Sequence, residues 1–190
     1  MVALPVGAGS RNLLVIGDSL SAAYGIAPEH GWVRLLQQRL DEQDKDYRVI
    51  NASITGDTTH GGLTRLPDAL QRHNPSLVII ELGGNDGLRG FDLDTTHANL
   101  SEMIRLARAS GARVLLLGVR LPANYGPGYR DRFSTIFAQL AEAEQVALVP
   151  AFMLGVAEHL HLMQADGIHP GKQAQPQLLD NVWPALVPLL

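Results

Sequence analysis

The 190-residue chain contains no cysteine. That excludes disulfide staples, thiol nucleophiles and cysteine-ligated metals together, though it does not fix a compartment. No apolar stretch reaches the length that spans a bilayer, so no stable membrane anchor is expected. The opening "MVALPVGAGS" lacks the positive n-region and full h-region of an export signal. It reads as a tail over residues 1–11, left by processing or cloning. Lysine is nearly absent, the arginines are scattered and the net charge is −4, which leaves no electrostatic footprint for nucleic acid. No internal repeat or low-complexity linker interrupts the chain. Residues 12–190 are therefore expected to form one domain around one core. With 46% hydrophobic and 18% charged residues, the composition fits a compact fold and not a disordered chain.

What is present is an alternation of two patterns. Apolar runs of strand length occur at 12–17, 47–52, 76–83, 112–119 and 146–150. They are nearly continuous in Val, Ile and Leu, as in strands covered on both faces. Helical spacing recurs at 30–43, 95–109 and 129–144, and a last helix is expected over about 172–183. Within the first, only Arg39 is out of character on the apolar face. Pro75 and Gly111 mark helix exits. Alternating strands and helices predict an α/β fold, a three-layer α/β/α sandwich of flavodoxin-like type with a five-stranded parallel sheet. The strand order 2-1-3-4-5 is the usual solution, and such folds bind ligands beyond the carboxyl ends of their strands.

Four clusters fall at those ends: "GDSLS" (17–21), "NASITGDTTHGG" (51–62), "ELGGNDGLRG" (81–90) and "DGIHP" (166–170). A serine hydroxyl needs a base to become a nucleophile. His169 is the best candidate, and Asp166, three residues earlier, can hold its Nδ1–H and leave Nε2 for the Ser19 proton. An oxyanion can be met by the Ser19 N–H, the Gly56 N–H and the Asn85 side-chain amide. Asp18 is expected to set the turn through its side chain, and Ser21 to make a helix-start hydrogen bond.

These blocks, "GDSL" at Ser19, "GD" at Gly56, "GGND" at Asn85 and "DGIHP" at His169, resemble in order the four blocks of the GDSL or SGNH hydrolases. The strings "VINASITGDTT", "LVIIELGGNDGLRG" and "LMQADGIHP" are similar to the bacterial thioesterase I, protease I and lysophospholipase (arylesterase) group of that family. The resemblance implies the flavodoxin-like SGNH fold, with Ser19 as nucleophile, His169 as base, Asp166 as its orienter and Ser19, Gly56 and Asn85 as oxyanion donors. It further implies hydrolysis of acyl esters and thioesters (arylesters, acyl-CoA, lysophospholipids) through an acyl-enzyme, without metal or cofactor. A periplasmic or secreted location is implied as well, although the chain shows no full signal.

Ser19 alone could cap a helix, and "DGIHP" alone could be a turn. His159, His161 and His169 invite a metal, but two histidines at i, i+2 do not share a helix face and no H-E-x-x-H accompanies them. A carbohydrate acetyl esterase would use the same machinery. A non-catalytic flavodoxin-like module could cradle phosphate on its glycine-rich loops, although Asp18 and Asp86 would repel it. The long loop 120–130 and the segment 87–92 are expected to shape an acyl groove lined by Phe91, Leu121, Pro122 and Tyr125, with 87–91 acting as a flap.

Overall fold

The computed structural model of the protein describes residues 11–190. The expected tail lies outside the described residues except for Arg11, which opens the first strand. Five strands, β1 (Arg11–Gly17), β2 (Tyr47–Asn51), β3 (Leu77–Glu81), β4 (Arg113–Leu117) and β5 (Ala147–Val149), form one parallel sheet in the order β2-β1-β3-β4-β5. Their near-continuous apolar character follows from double coverage. β3 is buried along its whole length, while the edge strands β2 and β5 are partly exposed.

The helices are α1 (Trp32–Glu42), α2 (Thr59–His73), α3 (Gly84–Leu88), α4 (Leu93–Ala109), α5 (Pro127–Ala143) and α6 (Gln175–Leu186). α1 packs against α6, and α2, α4 and α5 pack in series. The sheet is covered on both faces, which makes the three layers. α1 turns Trp32, Val33, Leu36 and Leu40 inward at helical spacing. Its N-terminus has a glycine cap with no side chain to offer, and the buried Gln175 Oε1 accepts the Trp32 N–H at 3.0 Å instead. Arg39 bridges Asp180 at 2.7 Å and lies over the Trp183 ring, joining α1 to α6. One core holds the largest side chains, with Trp32 edge-on to Phe152 and Phe133 edge-on to Phe137.

Boundaries shift where local chemistry overrides period. α4 begins two residues before the expected 95 because the Asp92 carboxylate accepts the Thr95 N–H at 2.9 Å. α2 was marked in sequence only by its exit, since Gly61, Gly62 and Pro67 dilute its helical signal. It closes on Asn74 in the left-handed region (φ 39°) before Pro75. The free edge of β2 is occupied by one side chain. Gln37 of α1 accepts the Val49 N–H at 2.6 Å and donates to the Tyr47 carbonyl at 2.9 Å.

In this strand order the crossovers diverge between β1 and β3, so a crevice opens beyond their carboxyl ends. Gly17 ends β1 directly beside Glu81, which ends β3. Residues that follow these two strands flank the crevice.

Candidate active site

Beyond Gly17 the chain turns sharply. The Asp18 carboxylate accepts the Leu20 N–H at 3.0 Å, and the Ala22 N–H closes on the Asp18 carbonyl at 2.9 Å. The turn presents Ser19, only 8% exposed, with Oγ 2.9 Å from His169 Nε2. His169 Nδ1 lies 2.6 Å from Asp166 Oδ2. The other Asp166 oxygen accepts the Ile168 and His169 backbone N–H groups at 2.9 and 3.0 Å. The carboxylate therefore shapes its own turn with one oxygen and faces the imidazole with the other. Those N–H donors, the His169 backbone first and then its ring, hold the Asp166 carboxyl down to about 2.

The histidine loop is tied to the serine loop across the sheet. Gln164 Nε2 donates to the Tyr24 carbonyl at 2.7 Å and to the Pro170 carbonyl at 3.1 Å. The Tyr24 ring lies 4.4 Å from the His169 ring, centroid to centroid. Tyr24 carries no motif that would have marked it in sequence, and Gln164 lies inside the string "LMQADGIHP" with no role assigned to it there.

Gly56 sits at φ +77°, a backbone state that favours glycine, and its carbonyl accepts from Arg89 at 3.0 Å. Arg65 of α2 braces this loop. Its guanidinium pairs with Asp57 at 2.8 Å and donates to the carbonyls of Ala52 and of Gly17, the latter at 3.2 Å. The loop after β2 is thus fastened to the end of β1. Among the described residues neither the Ser19 N–H nor the Gly56 N–H donates to a protein acceptor. Asn85, the second residue of α3, donates from Nδ2 to Asp18 Oδ2 at 3.0 Å, which leaves its second amide proton uncommitted.

Burial raises the Asp18 carboxyl to about 6, against the opposing pull of the Leu20 N–H and Asn85. Burial, and then the neighbouring Asp18 charge, push Glu81 well above the usual carboxylate range. Ser21 does not make the expected helix-start hydrogen bond. No helix starts at that point, and the buried Ser21 hydroxyl donates to Glu81 Oε2 at 2.8 Å while accepting the Trp32 indole N–H at 3.2 Å. Asp86 is absorbed by α2, taking the Thr59 N–H at 2.9 Å and its hydroxyl at 2.6 Å.

The four groove candidates are placed unequally. Phe91 is 46% exposed and Pro122 is exposed. Leu121 is buried, packed against Gly87 so closely that a Cβ there would lie 2.7 Å from Leu121 Cδ2. Tyr125 is half-buried, and its hydroxyl donates to the Leu88 carbonyl at 2.8 Å. Tyr129, unnoticed in sequence, donates to the Phe91 carbonyl at 3.3 Å. The 87–91 segment is thus held by two tyrosines from the following loop and α5. The His159 and His161 rings lie 5.6 Å apart, and among the described residues no third ligating side chain joins them.

Chemically, the arrangement offers a hydroxyl, a base held by a carboxylate, and two backbone N–H groups and one amide proton left without a protein acceptor among the described residues. The family model of the GDSL-like lipases and acylhydrolases matches residues 15–175. The chain is 55% identical over 190 residues to esterase TesA of Pseudomonas aeruginosa, covering all of this chain and 94% of that one. It is 44% identical over 183 residues to the thioesterase 1/protease 1/lysophospholipase L1 of Escherichia coli K12, covering 96% of this chain and 86% of that one. A crystal structure of TesA superposes with a TM-score of 0.94 at 57% identity, covering 95% of this chain and 100% of that one.

Proposed function

The chain belongs to the GDSL-like lipase/acylhydrolase family, and from that premise we propose that it hydrolyses carboxylic esters and thioesters through a Ser19–His169–Asp166 triad. The observation that carries this reading is the unbroken chain from Ser19 Oγ to His169 at 2.9 Å and on to Asp166 at 2.6 Å. Ser19 Oγ attacks the acyl carbon while His169 Nε2 takes its proton. Asp166 holds Nδ1–H and stabilises the imidazolium. The carbonyl oxygen, now an oxyanion, is received by the Ser19 and Gly56 N–H groups and the free proton of the Asn85 amide. The tetrahedral adduct collapses, His169 returns the proton to the leaving alcohol or thiol, and the acyl-serine remains. Water, deprotonated by His169, attacks this ester and releases the acid and the Ser19 hydroxyl.

Apolar acyl chains fit the surroundings better than sugar acetates. Among the described residues seven large apolar side chains are exposed, and six of them (Tyr24, Ile54, Phe91, Leu154, Leu160 and Ile168) lie in the connections that lead from a strand to the next long helix. The names of the relatives, an esterase and a thioesterase and lysophospholipase, support arylesters, acyl-CoA and lysophospholipids as the substrate range. In the groove, Phe91, Pro122 and Tyr125 meet the acyl chain, and Leu121 is buried against Gly87. The catalytic domain spans 12–190. Export to the periplasm or beyond rests on family likeness, and no helix among the described residues is long and apolar enough to cross a membrane.

Ser19→Ala tests the mechanism. Turnover of p-nitrophenyl esters should vanish while the melting temperature stays within a few degrees, and full activity would refute it. A panel of ester chain lengths, acyl-CoA, lysophospholipid and acetyl-sugar tests the substrate class, with acetyl-sugar as the poorest substrate if the reading holds.

A further inference from the structure

Beneath the nucleophile turn lie two buried carboxyl groups that take no part in the steps above. Glu81 is fully buried and Asp18 is 2% exposed. Gly17 is what admits them, since a Cβ there would stand 2.9 Å from both Glu81 Oε2 and Ser21 Oγ. Hydrogen bonds divide the two acids unequally. Both Asp18 oxygens accept N–H donors at 3.0 Å, from Leu20 and from Asn85. Glu81 Oε2 accepts the Ser21 hydroxyl at 2.8 Å and, at a long 3.4 Å, the Asp18 N–H. Glu81 Oε1 has no partner among the described residues. Such an oxygen is costly as an anion and natural as a hydroxyl. Two carboxylates side by side in a dry site do not both ionise.

The donors therefore put the charge on Asp18 and the proton on Glu81. Neither acid has a cation paired to it among the described residues. The charged or titratable neighbours are His169, from the loop before α6, and the Arg65 guanidinium of α2, which bonds the Gly17 carbonyl.

We propose that Asp18 and Glu81 act as a one-proton carboxyl pair that holds the Asn85 amide in its donor orientation. This rests on the reading of Asn85 as an oxyanion donor. An amide can present either end, and a flip would set Asn85 Oδ1 against the Asp18 carboxylate. The charge on Asp18 forbids that flip, so the second Nδ2 proton stays aimed at the oxyanion. Glu81, kept neutral by its own burial, fixes Asp18 without competing with it. Both are positioning residues.

The test is a double-mutant cycle on p-nitrophenyl butyrate. Asp18→Asn should lower kcat about 100-fold, the loss of one oxyanion donor, with KM within about twofold. In an Asn85→Ala background the same change should cost less than about threefold, because it acts through Asn85. Full activity in D18N, or a loss that multiplies with N85A, overturns the proposal. At position 81, Glu81→Gln should recover most of what Glu81→Met loses, since a neutral amide can replace a protonated acid. Glutamine as poor as methionine would mean that the charge sits on Glu81. If D18N fails to fold, infrared spectroscopy decides. Wild type minus E81Q should show a protonated carboxyl band at neutral pH, and its absence overturns the pair. Ser19→Ala run alongside keeps the two readings apart. Activity there defeats the serine mechanism, whereas an inactive S19A beside an unimpaired D18N defeats the acid pair alone.

Discussion

The two aspartates that bracket the crevice have opposite linkage to pH. Asp166 is held down to about 2 from an ordinary 3.8, so its folded-state bonds stabilise fully above pH 4 and are lost as pH falls toward 2. Asp18 is raised to about 6, so its contribution is greatest below pH 4 and declines as pH rises through 6. Melting temperatures followed from pH 7.5 to 4.5 should therefore show wild type gaining on Asp18→Asn and holding a constant offset from Asp166→Asn. A drifting offset for the latter would mean that Asp166 titrates in the working range. In activity, Asp166→Asn should lower kcat about 1,000- to 10,000-fold, because the imidazole then loses the partner that fixes its tautomer. A loss below tenfold would leave Asp166 only a turn-forming role.

Loops and helices set these residues in place, and here the sequence was legible to different depths. The proximity of Ser19, Asn85 and His169 could be foreseen because parallel strands gather whatever follows them at one end. β1, β3 and β4 could be read because residues buried on two faces leave unbroken apolar runs. α3 was invisible, as five residues with two glycines carry no period. Ser21 was misjudged because its partners, Glu81 and Trp32, come from other elements. Leu121 looked like a loop residue, and its burial depends on the missing Cβ of Gly87. Glu81 did leave a trace, a lone acid closing the run "LVIIE". Arg65 left none, although it fastens the Gly56 loop to the end of β1. Arg65→Met leaves the largely buried Asp57 without its cation and should cost about 3 kcal/mol of stability, with kcat falling more than KM rises. Arg65→Lys should restore little, because an ammonium cannot reproduce the three-way fork. Chemical denaturation and steady-state kinetics check both, and a silent R65M would free the loop from this brace.

At the scale of the molecule, an open sheet has two edges, and each exposes backbone groups that another strand can pair with. β5 is only three residues long. β2 is longer, and Gln37 alone satisfies its outward Val49 N–H and Tyr47 carbonyl. Gln37→Ala should therefore increase concentration-dependent association in sedimentation velocity while leaving turnover per active site unchanged at low concentration. An unaltered sedimentation profile up to high concentration would show that the edge needs no such guard. Many proteins ward off edge pairing with lysines, whose effect fades as counterions accumulate. This one uses an uncharged amide bonded to the backbone. Its resistance to aggregation at that edge should consequently persist in brine, where a guard made of charge would fail.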